Sequence, residues 1–207
     1  MALIHKATLR PTKLELLTDW LPTRRWYDGP KGEVQRISSY RFDDPAGSVG
    51  VETMLVRVGD GPAYQVPLTY REAPLSDADD LLLGTAEHSV LGKRWIYDGT
   101  GDPVYVAALA EVILANTGQA EQFTQVGETL EPRQLDMTIS SNAPAGTVAP
   151  RVGTIQQIVH TDPTVVITDS VELTIVRRLD TAPDLTGTVL TGTWPTQQAP
   201  LASATLR

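Results

Sequence analysis

Apolar and polar positions alternate with a period of two through most of the chain, and a helical period surfaces in few places. In VELTIVRRLD, residues 171–180, Val171, Leu173 and Ile175 point one way and Glu172, Thr174 and Val176 the other. The pattern predicts a half-buried strand ending in two arginines. EVQRISSYRF, VETMLVRVG and AYQVPLTYRE read as three further strands, the last two joined through DGP, a hairpin turn. SVLGKRWIYDG is also extended. Beyond residue 134, LDMTISS, RVGTIQQIVH, TVVITD, VELTIVRRL, TVLTGTW and LASATLR predict a mostly β region, broken by a loop at SSNAPAGTVAP.

In PTKLELLTDWL, Leu14, Leu17 and Leu21 share one face with Leu16 and Trp20 beside them, and Thr12 with Glu15 fits a capping box. A second helix runs through VYVAALAEVILAN, capped by Asp102, opened by Pro103 and ended by Gly118. It is apolar nearly all round, so sheet is expected to wrap it. SDADDLLLG predicts a third, short helix with Ser76 as cap, acids in its first turn and Gly84 at its end. Residues 119–134 are polar and read as a connector. The expected class is α+β: a curved antiparallel sheet packed on a helix over residues 1–121, then a mostly β subdomain over residues 122–207.

Charge and composition narrow the functions. The net charge is −8, which argues against a nucleic-acid partner. Residues 1–100 carry 12 Lys and Arg against 14 Asp and Glu, a balance of −2; residues 101–207 carry 5 against 11, a balance of −6. The absence of cysteine excludes disulfides, thiolate nucleophiles and zinc-thiolate sites. VYVAALAEVILA, interrupted by Glu111, falls short of the ~20 apolar residues of a membrane span, and MALIHKATLR is too short a run for a signal peptide. A soluble cytoplasmic protein without membrane association is expected.

Motifs for catalysis or metal binding are scarce. There is no G-x-S-x-G, and His5, His88 and His160 show no ligand spacing. LGKRW fails as a phosphate loop: Glu87 stands where a glycine is needed, and Arg94 where Ser or Thr is needed. SDADD lacks the glycine and distal glutamate of a calcium loop. Two clusters, RRWYDGPKG and GKRWIYDG, set basic residues beside aromatics, an arrangement suited to cation–π contacts or a carbohydrate platform. A tryptophan anchored in the core with its arginine at the rim is the favoured reading of both.

The segments LPTRRWYDGPKG, AYQVPLTY and GTAEHSVLGKRWIYDGTGDPVYVAAL together resemble the N-terminal cap domain of maltokinases and related aminoglycoside-kinase-like sugar kinases. The last matches best the branch that includes a glucosamine kinase. The resemblance covers about the first 120 residues. It continues into the second half, where the family carries a kinase-N-lobe-like sheet with a phosphate loop, a strand bearing an ATP-binding lysine, and an Asn-Pro-Asp motif with a partner glutamate. Arg177, Arg178 and Leu179 match the strand's end, and Pro183 and Asp184 the later motif.

At the positions that carry chemistry the match fails. Thr174 stands for the lysine, Thr186 for the glutamate, and Pro163 brings no N–H to the phosphate loop. Phosphoryl transfer needs a fixed ammonium on the phosphate oxygens, and no lysine follows Lys93. The family's catalytic lobe has no counterpart in the 207 residues. The resemblance therefore implies a stand-alone, non-catalytic relative with no catalytic, cofactor-binding or metal-binding residues. Its expected role is interaction or regulation, with a sugar kinase or another enzyme of maltose, trehalose or glycogen metabolism as partner. Two alternatives stand beside it: a module binding a saccharide or sugar phosphate, and one half of a split kinase. The expected ligand or partner surface comprises Arg24, Arg25, Trp26, His88, Arg94, Trp95, Arg177 and Arg178.

Overall fold

In the computed structural model, residues 2–4, 7–126, 129–181, 183–195 and 197–207 are described; His5 lies outside them. Strands β1 (Ala2–Ile4) and β2 (Leu9–Arg10) precede helix α1 (Lys13–Trp20). Thr12 caps α1 as its sequence predicts: its hydroxyl accepts from the Glu15 amide while the Glu15 carboxylate accepts from the Thr12 amide. Strands β3 (Val34–Phe42), β4 (Gly50–Val58), β5 (Tyr64–Arg71), β6 (Leu82–His88) and β7 (Gly92–Asp98) follow, then helix α2 (Pro103–Ala115). They form a curled antiparallel sheet in the order β2-β6-β7-β5-β4-β3.

The remaining strands are β8 (Gln122–Val126), β9 (Thr129–Pro132), β10 (Thr138–Ser141), β11 (Ile155–Val159), β12 (Thr164–Thr168), β13 (Val171–Ile175), β14 (Thr188–Trp194) and β15 (Gln197–Leu206). A second antiparallel sheet has the order β10-β14-β15-β13-β12-β11, and β8 joins β1 in parallel and β9 antiparallel in a small third sheet. The fold is α+β, largely antiparallel, with two short helices.

Both faces of the first sheet are buried, which explains the near-continuous apolar run in β4. Val51 and Leu55 enter one core cluster; Met54, Val56 and Val58 enter another with Leu17, Trp20, Trp26, Tyr64 and Val66. The first cluster continues through α2 into Val166, Leu173, Leu190 and Ala202 of the second sheet. Helix α2 is thus enclosed between two sheets, with eight of its residues buried. Sheet wraps α2 as its apolar sequence leads one to expect, and the second sheet takes part: α2 packs on β10, β14 and β15 as well as on β3.

Four local expectations are corrected. SDADDLLLG is no α-helix: Asp79–Leu81 make one 3₁₀ turn and lead into β6. Gly84 lies at a bulge in that strand, where a Cβ would meet Leu16 Cδ2 of α1 at 2.8 Å. Helix α2 ends earlier than predicted, with Asn116 rather than Gly118 taking the left-handed cap. The predicted connector contains β8 and β9. Val176 does not face outward on β13: the strand stops at Ile175, and Val176 is fully buried, its amide donating to the Leu201 carbonyl.

Candidate functional site

The strand that ends in two arginines delivers them to the junction of the two large sheets. Arg177 is wholly buried and bonds Asp98 at the end of β7: Nη2 to Oδ2 is 2.7 Å, with both side chains 0–1% exposed. Its Nε donates to Thr164 Oγ1 and its Nη2 also to Thr100 Oγ1. The guanidinium lies 4.6 Å from the centre of the Trp26 ring. A charge this deep is tolerated because it is paired and stacked at once. Main-chain bonds lock the same seam. Gln65 N donates to the Arg177 carbonyl at 2.7 Å and Leu179 N to the Ala63 carbonyl at 2.8 Å. Buried Gln65 sends its Nε2 to the carbonyls of Val176 and Leu201 and accepts from the Tyr40 hydroxyl.

Arg178 turns the other way, to the rim. It holds Asp180 with Nε and Nη2 and Asp28 with Nη1 at 2.6 Å. Asp28 accepts from the Tyr64 hydroxyl as well, and that bond, followed by the Arg178 charge, holds its carboxyl below the usual range.

Beside this seam lies a cleft of about 620 Å³, whose lining includes Arg25, Trp26, Asp28, His160, Asp162 and Arg178. Arg25 forms no hydrogen bond or ion pair among the described residues. His160 is exposed at the cleft, and partial desolvation still moves it below the ordinary histidine range against the raising influence of the Asp98 carboxylate. Asp162 Oδ1 accepts from the amides of Arg177 and Arg178. A second groove, of about 790 Å³, opens between the β4–β5 turn and the β14–β15 hairpin. Gln35, Arg57, Asp60, Gln197 and Gln198 line it over Trp194 and Leu179.

Of the residues expected on a ligand or partner surface, Arg25, Trp26 and Arg178 meet at the first cleft. Arg24 spans from the Trp20 ring, 4.7 Å away, to the Asp80 carbonyl. Arg177 is corrected: it is interior and presents no surface. Trp26 is only 6% exposed and sits edge-on to Trp20 and Tyr27, a core anchor with an arginine on its face. His88, Arg94 and Trp95 lie on the β6–β7 hairpin and line neither cavity. There Lys93, not Arg94, stacks on Trp95, at 4.8 Å. His160 and the glutamines of the second groove carry no motif, Asp28 lies inside RRWYDGPKG without having been singled out, and only the folding of distant turns brings them to a cavity.

Thr174 is half-buried on the outward face of β13, with Val165 and Ser203 opposite it on the neighbouring strands. Thr186 lies exposed in the loop before β14, and Pro163 in the β11–β12 turn. No group of three or more His, Cys, Asp and Glu that could hold a metal ion occurs among the described residues, and no helix there is long and apolar enough to cross a membrane.

The curled sheet with α1 on one face and α2 on the other defines an α+β cap. Residues 20–102, which span β3 to β7, match the family model of the maltokinase N-terminal cap domain. The match covers less than half of the 207 residues and shows what this part of the chain is similar to. No curated protein matches the chain.

Proposed function

We propose that the chain is a non-catalytic relative of the N-terminal region of maltokinase-like kinases and acts as an interaction or regulatory module in maltose, trehalose or glycogen metabolism. One observation carries this reading: the strand that would need an ammonium for nucleotide phosphates has no cation free to supply it. Thr174 is neutral and flanked by Val165 and Ser203. The arginines that follow are taken up in the fold, Arg177 by Asp98 and Arg178 by Asp28 and Asp180. Phosphoryl transfer relies almost wholly on positioned positive charge, so this strand lacks the group the reaction requires. The test is calorimetric titration with Mg-ATP together with a phosphorylation assay on maltose and glucosamine. No heat and no product are expected, and turnover by the purified protein sinks the reading. A split kinase is disfavoured on the same ground: adding a separately encoded catalytic lobe leaves Thr174 unchanged.

A second reading, a small-ligand module, is favoured by the larger groove. Its glutamines, Arg57 and Asp60 donate and accept hydrogen bonds, and these two charges offset each other. Such a lining suits a neutral polyhydroxylated molecule better than a phosphate. Saturable quenching of tryptophan fluorescence by maltose, lost in Arg57→Ala, supports it; a flat titration removes it.

A further inference from the structure

The edges of a sheet expose unpaired N–H and C=O groups that chains ordinarily cover. On edge strand β3, Thr18 Oγ1 accepts from the Val34 amide and Asp136 Oδ1 from the Ser39 amide. On β10, Gln119 Oε1 accepts from the Ile139 amide at 2.9 Å and Asn116 Oδ1 from the Ser141 amide at 3.2 Å. β11, the opposite edge of the second sheet, differs. Among the described residues no side chain accepts from a backbone amide of Ile155–Val159. Its sequence, IQQIV, carries neither charge nor proline, the usual deterrents to further pairing. A bulge between Ile155 and Gln157 leaves Gln157–Val159 in regular register.

The 620 Å³ cleft runs along this edge. Gln157, Ile158 and Val159 form one side and Arg25, Trp26 and Asp28 of the cap contribute the other. The remaining charges are engaged: Arg178 with Asp28 and Asp180, Asp162 with two backbone amides. Arg25 is left as an unpaired cation on the lining of the cleft that this strand edge borders, and Val159 on the same lining is 36% exposed.

We propose that β11 is a docking strand for an extended segment of a partner protein, which pairs with Gln157–Val159, sets an apolar side chain next to Val159 and places a carboxylate against Arg25. Main-chain bonds to an open edge supply affinity in this mode, and alternate side chains supply selectivity. The inference rests on the interaction-module reading and names its contact.

The test is a selection of displayed random decapeptides on the full chain, followed by amide hydrogen exchange with the best sequence. Enriched peptides are expected to alternate in polarity and carry Asp or Glu, and to slow exchange across residues 155–159. Arg25→Ala is expected to weaken them about tenfold, and Val159→Asp, at an exposed site, to abolish binding. No enrichment, protection elsewhere, or equal binding of the Asn or Gln counterpart overturns the proposal. So does loss of binding to competing glucose 6-phosphate, which would mark a small-anion site. Mg-ATP turnover is measured on the same preparation. Turnover refutes the non-catalytic reading whatever the peptides do, whereas failed peptide binding without turnover refutes the docking strand alone.

Discussion

Replacing Arg177 by methionine tests the claim that this arginine is a structural tie between the sheets. The substitution removes the guanidinium from Asp98, Thr164 and Thr100 but leaves an apolar stem against Trp26. Asp98 is 1% exposed and keeps only the Thr100 amide and hydroxyl as donors among the described residues. Removing one member of a buried pair costs about 3–5 kcal/mol, because the other charge is stranded. For a chain of this size each kcal/mol moves Tm by roughly 2–4 °C, so a fall of about 10 °C is expected. Urea unfolding followed by far-UV circular dichroism and tryptophan fluorescence measures it. Asp98→Asn alone should also be costly, and the Arg177→Met/Asp98→Asn double variant should recover about 2 kcal/mol relative to the summed singles. Since the pair bridges the cap and the second sheet, the two probes should separate in the single variants and coincide in the wild type. A loss below about 1 kcal/mol, or strictly additive costs, refutes the argument.

Thr12→Ala should lower stability by about 1 kcal/mol in the same urea assay, since the capping box loses its side-chain acceptor. Glu52 is 3% exposed; burial opposes its ionisation, but Arg41 and Lys13 outweigh burial and hold its carboxyl well below the usual range. A depressed folded pKa stabilises the protein above the unfolded value of about 4.3. Stability should therefore fall on acidification below about pH 4.3, and Glu52→Gln should flatten that part of the profile; an unchanged slope contradicts the assignment. Gln65→Leu should cost about 1–3 kcal/mol by stripping donors from the Val176 and Leu201 carbonyls, and near-neutral urea midpoints would refute its bridging role. Thr174→Lys should leave the chain without kinase activity, checked by the phosphorylation assay, because Thr186 still stands where the resemblance places the lysine's partner glutamate.

Periodicity alone determined much of this protein. The capping box of α1, the strands of the second sheet, β3, β4, β5 and β7 of the first, and the hairpin at residues 59–63 are legible because each depends on neighbours close in the chain. The similarity of LPTRRWYDGPKG to a kinase cap was likewise legible in the order of residues, as was a threonine at position 174 where the resemblance places a lysine. Short-range signals misled where a distant contact decided the outcome. Gly84 reads as a helix stop, yet it is there because Leu16 of α1 closes on β6. Arg177 reads as a surface cation, because sequence reveals its charge but not that Asp98, 79 residues away, meets it in the interior. The open edge of β11 and the unpaired Arg25 on the cleft it borders were equally invisible. An edge exists only once strand order is fixed, and strand order is set by which apolar faces bury one another across the whole chain.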